Sequence, residues 1–395
     1  MKLLRTNRNL AIIALIAIVN ALGYGIVFPI LYSYSQKYGL SDFENGLLFA
    51  LFSICQFLST PIIGRLSDKY GRRPLLVISI AGTFISFLMM AYAPSAIFLF
   101  IARALDGLTA GNLPVAQAVI SDTTEVKDRA RGFGIIGASF GFGFVFGPAI
   151  SALTVGISAA TPFLIAAGIT FIAVIITALF LPETNKHMGE IRQGKLFDFK
   201  KLYSTLFDPN VGITFLISLF YFLAFSLFIY SFQPYSVKIL KLSTNQISLL
   251  FMAVGVVGLI TQMFLVQRVS KRYGLKNTFS GSILVVALSF LLSFLSHSYL
   301  PFLVAMLILG LANGLVQPLV NTILSQETDE KSQGSVMGLN VSYASIGQII
   351  GPITGGAIAT FGVAYPFLAG AFVILICFIL SFKVLRPGIR KEAAF

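Results

Sequence analysis

Gly143-Phe-Val-Phe-Gly147-Pro148 returns 204 residues later as Gly347-Gln-Ile-Ile-Gly351-Pro352, and Thr161-Pro-Phe-Leu164 returns at the same distance as Tyr365-Pro-Phe-Leu368. Outward from this pair the register persists. Tyr70-Gly71 matches Tyr273-Gly274, Gly107-Leu108 matches Gly310-Leu311, and Gly111 matches Gly314, each 203 residues apart. Matches that recur at one offset along most of a chain mark a duplication. Each lies in or beside a long apolar segment, so the duplicated unit is a set of membrane-length helices. With six crossings per copy, an even number, the second copy enters from the same side as the first. The copies are therefore parallel repeats about an axis along the membrane normal, an arrangement on which alternating-access carriers are built.

Composition agrees. Of 395 residues 56% are hydrophobic and 11% charged, against about 25% charged in soluble domains. About 20 helical residues cross a hydrocarbon core of about 30 Å, and such segments occur near 10–35, 44–63, 75–93, 96–121, 132–156, 160–182, 209–235, 245–266, 278–296, 299–324, 335–360 and 363–383. They are continuously apolar, whereas barrel strands alternate, so the crossings are helices. The expected fold is an all-α polytopic membrane protein, with twelve transmembrane helices in two six-helix bundles: an N-terminal bundle over 1–182, a cytoplasmic linker over 183–208 and a C-terminal bundle over 209–395. In the linker, Phe197, Phe199, Leu202, Tyr203, Leu206 and Phe207 alternate with Lys195, Lys200 and Lys201, a pattern that suits a short helix on the membrane surface.

The net charge of +13 arises from 28 Lys and Arg against 15 Asp and Glu. Twenty-four of the 28 fall in the termini and in loops after even-numbered segments; Lys37, Lys238 and Lys241 lie on the other side and Arg103 within the membrane. This positive-inside pattern puts both termini in the cytoplasm of a multi-pass protein of the cell (inner) membrane. It argues against a nucleic-acid partner, because no basic stretch is interleaved with aromatics for stacking on bases. The apolar run after Met1–Arg8 is too long for a signal peptide and reads as an uncleaved first helix. Cys55 and Cys377 have no metal-ligand spacing and read as core residues. No metal site is expected.

Across the twelve apolar segments, apart from Glu44 and Lys383 at the very ends of the second and twelfth, only Arg103 and Asp106 are charged, three residues apart on the fourth. A charge at a helix centre costs at least about 2.5–3.5 kcal/mol on insertion scales, so it persists when paired or facing a wet cavity. At this spacing the two side chains are neighbours on a helix. One reading makes Asp106 a proton or cation site whose charge Arg103 holds until substrate or movement parts them. The other makes the pair a static lock for the fourth helix. On an unbroken helix Ala110, Pro114, Gln117 and Ser121 share the Asp106 face and Asn112 points the opposite way.

The loop expected after the second segment, Gly64-Arg-Leu-Ser-Asp68-Lys-Tyr-Gly71-Arg72-Arg73-Pro74, has two glycines for a tight turn and one acid among bases. By its chemistry it is a gate latch or a turn that sets topology. Its pattern resembles the signature loop of the major facilitator superfamily. The resemblance implies a gating role for Gly64, Asp68, Gly71, Arg72 and Arg73, with Asp68 steadying one access state; Asp122 and Arg131 are assigned to the same gate. The repeat copy has Lys271 where the acid stood. Gly143, Gly147 and Pro148 look like the superfamily's antiporter motif, though Ser151 stands where a glycine is usual. Asn20-Ala-Leu-Gly-Tyr24-Gly-Ile-Val-Phe28-Pro29 resembles the first helix of its drug:proton antiporters, many of which have an acid at the place of Asn20. With Arg103-Ala-Leu-Asp106-Gly107 the pattern is similar to the tetracycline-resistance-like branch. The resemblance implies a monomer driven by the proton gradient, with no bound cofactor.

Amides and phenols on the inner helices, namely Asn20, Tyr24, Gln56, Gln117, Tyr221, Gln233, Gln262, Asn313, Gln317 and Tyr343, with Phe28, form the expected substrate cavity. Such a lining suits a small amphiphilic molecule held by stacking and a few hydrogen bonds. The expected partners are therefore a small-molecule substrate, protons and the bilayer. The function expected is secondary active, proton-coupled export by alternating access; a symporter or facilitator for a nutrient on the same fold is the alternative. A channel would need rings of like residues about a pore. An enzyme would need a nucleophile–base or metal spacing, and His187 and His297 lie in loops on opposite sides. A sensor that has lost transport stays open.

Overall fold

A computed structural model describes residues 8–124, 126–185, 188–189, 196–328 and 332–385, with backbone only over 126–133. The main helices are α1 (Arg8–Val27), α2 (Asp42–Tyr70), α3 (Arg72–Ala91), α4 (Ala96–Thr109), α5 (Leu113–Thr123), α6 (Val126–Thr154), α7 (Thr161–Phe180), α8 (Phe199–Thr205), α9 (Gly212–Lys238), α10 (Thr244–Ile260), α11 (Val266–Tyr273), α12 (Leu275–Leu295), α13 (Tyr299–Gln326), α14 (Gln333–Ala359) and α15 (Tyr365–Ser381), with short helical turns at Leu31–Ser35 and Gln36–Tyr38 after α1. Among the described residues there is no strand. Hydrocarbon offers no partner to a backbone N–H or C=O, so crossings close their hydrogen bonds within a helix. Ten spans are long and apolar enough to cross a membrane, and the 17-residue α15 is a shorter apolar helix. With the more polar, 27-residue α14 they make the twelve crossings read from the sequence. Pro162 and Pro366 open α7 and α15 from their first turns, where a missing N–H does no harm.

Three expectations are corrected. The second crossing does not end near residue 63: α2 continues to Tyr70, so most of the supposed loop is helical and Gly71 alone makes the turn, at φ +102°. Gly64 has nothing within 4 Å of where a Cβ would stand and serves no turn. The fourth crossing is not one helix but two, α4 and α5, broken at Ala110–Asn112. The eighth continues through a π-helical turn, Thr261–Leu265, into α11.

Two compact units arise. The first comprises residues 1–40, 51–197 and 243–252, the second 41–50, 198–242 and 253–395. In the first unit α1 lies against α6 because glycines permit it: a Cβ at Gly143 would stand 2.3 Å from the Ala21 Cβ, and one at Gly147 2.6 Å from the Gly25 Cα. Around this seam Ile13, Ile16, Leu76, Ile80, Val119 and Ile120 form an aliphatic core. In the second unit Gly347 and Gly351 bring α14 onto Leu223 and Ser226 of α9. Its core is aromatic, with the Phe228 ring 4.7 Å from Phe290 and 5.2 Å from Phe367. Small residues at a helix seam let backbones approach, which in lipid replaces a hydrophobic drive that the solvent does not supply.

The repeat extends to the way each unit is completed. In the second unit the Asp42 carboxylate takes Lys238 at 2.7 Å, the Tyr230 hydroxyl donates to the Asp42 carbonyl, and Gly46 lies against the Pro352 carbonyl. In the first, Asn245, 203 residues after Asp42, donates to the Ala152 carbonyl, and Phe251 stacks 6.5 Å from Phe28. In the linker α8 exposes Phe199 and Tyr203, with Phe207 just beyond it, and buries Thr205.

Beyond the end of α13, Glu327 accepts from the Thr214 hydroxyl (2.6 Å) and the Leu385 N–H (2.9 Å). Burial pushes its carboxyl above the ordinary 4.5, against those two hydrogen bonds. Because the folded state then holds the proton more tightly than the unfolded chain, this stability is fullest below about pH 4.5 and is lost as pH rises through the folded value. Glu327→Gln, uncharged throughout, should gain in melting temperature relative to the unsubstituted protein from pH 4 to pH 8 in detergent. A flat difference would remove burial as the cause.

Candidate functional site

The fourth crossing is where the two copies part. Gly111-Asn112-Leu113-Pro114 reads as a helix start, with an amide at the N-cap position and proline in the first turn. The matching Gly314-Leu-Val-Gln317 lies inside the unbroken α13. The break frees carbonyls that side chains of the neighbouring helices take up. Ser59 donates to Gly107 O at 3.1 Å, Gln56 Nε2 to Ala110 O at 3.4 Å, and the Ser79 hydroxyl to Thr109 O. Gly107 and Gly111 bring α2 within reach: a Cβ at Gly107 would lie 2.4 Å from the Phe52 carbonyl oxygen, and one at Gly111 2.9 Å from the Thr60 Cα.

Against this break Arg103 Nη1 and Asp106 Oδ2 meet at 3.2 Å, with the two residues 3% and 6% exposed. The guanidinium carbon stands 4.3 Å from the centre of the Phe52 ring, a contact worth about 2 kcal/mol when desolvated. Tyr24 packs edge-on against the same ring at 5.2 Å and donates to Gln56 Oε1 at 3.1 Å. Phe28 follows at 5.6 Å from Tyr24. One wall thus joins a cation, an acid, three aromatic rings and an amide inside a single unit. Chemically it can take up and release one proton at a carboxylate without leaving the arginine bare, since Phe52 stays when Asp106 is neutral.

Asn20 Nδ2 donates to Asn112 Oδ1 at 2.9 Å. The expectation that Asn112 points away assumed an unbroken helix; the turn at 110–112 changes the phase and sends its amide to α1. Neither Asn112 nor Phe52 stood out in the sequence, because one is a helix-start residue by type and the other is one of 38 phenylalanines.

At the α2–α3 turn Arg72 Nη1 meets Asp68 Oδ1 at 2.6 Å and Arg72 Nε meets Asp122 Oδ2 at 3.4 Å. Glu183, from the stretch read as linker, completes this cluster. Its carboxylate accepts the N–H groups of Arg72 (2.9 Å), Arg73 (3.1 Å), Thr184 (2.9 Å) and Asn185 (2.8 Å). A carboxylate suits the positive end of α3. The Arg131 side chain lies outside the described residues.

Of the cavity residues in the second unit, Tyr221 donates to Asn313 Oδ1, and its ring borders a recess shared with Gln317. Gln262 is exposed in the π turn, as Gln117 is on α5. Gln233 is 1% exposed, sealed within α9. Tyr343 does not face an open cavity: it is 2% exposed, and its hydroxyl engages Thr205 (2.6 Å) and the Leu202 carbonyl (2.5 Å) of α8. No group of His, Cys, Asp or Glu with metal-binding geometry occurs among the described residues.

The profile of the Major Facilitator Superfamily matches residues 13–233 and again 214–394. The tetracycline resistance protein, class H, of Pasteurella multocida is 30% identical over 371 residues, covering 91% of this chain and 91% of that protein. Multidrug resistance protein 1 of Bacillus subtilis (strain 168) is 30% identical over 393 residues, covering 98% and 99%. The crystal structure of the human organic anion transporter MFSD10 (TETRAN) has the same fold, with a TM-score of 0.73 at 20% identity over 95% of this chain and 99% of that one. The crystal structure of the nucleoside transporter NupG does too, at 0.77 and 14% identity over 96% and 100%.

At Gly71 a Cβ would stand 2.3 Å from Glu183 Oε2. Gly71→Ala should therefore lower stability by about 1–2 kcal/mol from the positive φ alone, and further from the collision. In thermal melts, Gly71→Ala combined with Glu183→Ala should lose less than the sum of the single variants; strict additivity would show that Glu183 does not crowd this turn.

Proposed function

The chain belongs to the Major Facilitator Superfamily, on the branch of tetracycline and multidrug resistance proteins, and we propose that it exports small amphiphilic organic compounds in exchange for protons. It is a multi-span membrane transporter, not an enzyme; the proton coupling, the cargo and the direction are the proposal. The observation that carries it is the buried Arg103–Asp106 pair on the Phe52 ring. Charges inside a membrane bundle mark ion or proton paths, and here Asn20 leaves the first helix without an acid, so Asp106 is the carboxylate that exchanges a proton. Removing one partner of a buried pair costs about 3–5 kcal/mol where nothing else holds the remaining charge. Phe52 reduces that cost for Arg103, so protonation of Asp106 is a step the unit tolerates.

In this cycle Asp106 takes a proton on the outer side, Arg103 lets go of the carboxylate and stays on the ring, and the proton leaves inward as the cargo leaves outward. Tyr24, Phe28 and Gln56 offer aromatic faces and one amide to an amphiphilic cargo. The gradient supplies the energy, with no bound cofactor. The Arg72 cluster with Asp68, Asp122 and Glu183 acts as the cytoplasmic gate. The distribution of Lys and Arg supports cytoplasmic termini, and a monomer suffices because the site lies in one chain.

Asp106→Asn should abolish drug uptake driven by a pH gradient into inverted vesicles, by at least about a hundredfold, while expression and melting temperature hold. Unaltered gradient-driven uptake by this variant would sink the proposal, and accumulation of cargo in whole cells would reverse the direction.

A further inference from the structure

Two arginines open α3, and they are held differently. Arg72 meets Asp68 and Asp122. The Arg73 guanidinium meets no carboxylate among the described residues; its Nη2 donates to the Ala178 carbonyl in the last turn of α7, and its other N–H groups have no partner there. The Glu183 carboxylate beside it is occupied by four backbone N–H groups. Between α3 and α7, inside the first unit, Arg73, Pro74, Val77, Ile78 and Ala178 line a groove of about 360 Å³, within the range of small-ligand sites. Arg73 is its one charged residue, at an end of the bundle where Arg65, Lys69 and Arg72 also stand. Ile78, five residues on, lies about 7.5 Å deeper along the helix. It is exposed, as is Ile85 two turns further on the same face. The groove thus grades from an unpaired cation at the membrane surface to aliphatic side chains below. In the second copy Lys276 takes the place of Arg73, but Ser280 and Phe382 take those of Val77 and Ala178. Ser280 is buried against the Ser381 hydroxyl at 2.7 Å, and a bulky ring stands where the first copy has a methyl.

We propose that this groove binds one anionic phospholipid of the adjoining leaflet, with its phosphate on the Arg73 guanidinium and an acyl chain along Val77 and Ile78. A guanidinium fork matches two phosphate oxygens, and basic pockets between membrane helices hold anionic headgroups. The Ala178 carbonyl fixes the guanidinium through one N–H and leaves the others for the phosphate. A zwitterionic lipid brings an ammonium of its own, for which the lining has no carboxylate, so the site favours a lipid of net negative charge. The occupant is a component of the bilayer, and the site does not rest on what the protein transports or in which direction.

The test titrates the full chain in detergent with phosphatidylglycerol and with phosphatidylcholine of the same acyl chains, and counts the lipid bound per protein by native mass spectrometry. The unsubstituted protein should hold one phosphatidylglycerol at least about fivefold more tightly than phosphatidylcholine, and Arg73→Gln should bring the two within about twofold of each other. Lys276→Gln, at the matching place in the second copy, should keep the preference. Ala178→Phe keeps Arg73 but sets the second copy's residue in the groove, and should weaken both lipids. Equal binding of the two lipids by the unsubstituted protein, a preference that survives Arg73→Gln, or one lost equally in Lys276→Gln overturns the site. Displacement of the lipid by free glycerol phosphate as readily as by phosphatidylglycerol overturns it too, since the groove would then contribute nothing. Should Arg73→Gln fail to fold, Ala178→Phe decides: loss of phosphatidylglycerol at an unchanged melting temperature upholds the site, and undiminished binding overturns it.

Discussion

Hydrocarbon supplies no hydrogen-bond partner, so a polar group that this chain carries into the membrane is costly unless another part of the chain meets it. The crossings are helices for that reason, and the interrupted fourth crossing obeys the same rule. Where α4 stops at Thr109, Ser59, Gln56 and Ser79 take the carbonyls that the next turn would have bonded. Ser59 and Gln56 reach because Gly107 and Gly111 have no side chains to hold α2 away, and Gly82 likewise lets α3 close on Thr109. The same constraint holds Arg103 on two supports, a carboxylate and a ring. A single support would tie the arginine's charge to the protonation of one acid.

The duplication provides the frame, and the departures from it provide the chemistry. Glycine seams recur in both copies, at Gly143 and Gly147 against α1 and at Gly347 and Gly351 against α9. The exchanged helix starts recur as well, Asp42 in one unit and Asn245 in the other. Yet the positions of Arg103 and Asp106 hold Met306 and Leu309 in the second copy, both buried without charge. The amides at Asn340 and Asn321 face the opposite asymmetry, with Ile136 and Ala118 as their counterparts. Duplicated halves that share packing and divide polar groups can each specialise without loss of the common fold.

The cytoplasmic cluster shows how a signature works as geometry. Gly71 supplies a backbone conformation that residues with a Cβ disfavour, and the space beside it is filled by the Glu183 carboxylate. Asp68 and Asp122 share Arg72, so the three acids of this cluster are each spent on a donor that another element provides. Glu183 arrives from more than a hundred residues away.

Much of this was legible in the sequence because it depends on local regularities. Continuous apolarity counted the crossings, a constant offset exposed the repeat, and two charges in an otherwise uncharged membrane interior located Arg103 and Asp106, whose spacing of three on a helix already made them neighbours. What remained hidden depends on groups brought together by folding. A one-turn break rotated Asn112 onto Asn20, against the phase of an unbroken helix. Glu183 looked like linker until α3 presented its N-terminus, and Tyr343 looked like cavity until α8 covered it. Periodicity and offset are properties of the chain alone; whether a polar atom is satisfied is a property of its surroundings, which only the tertiary structure sets.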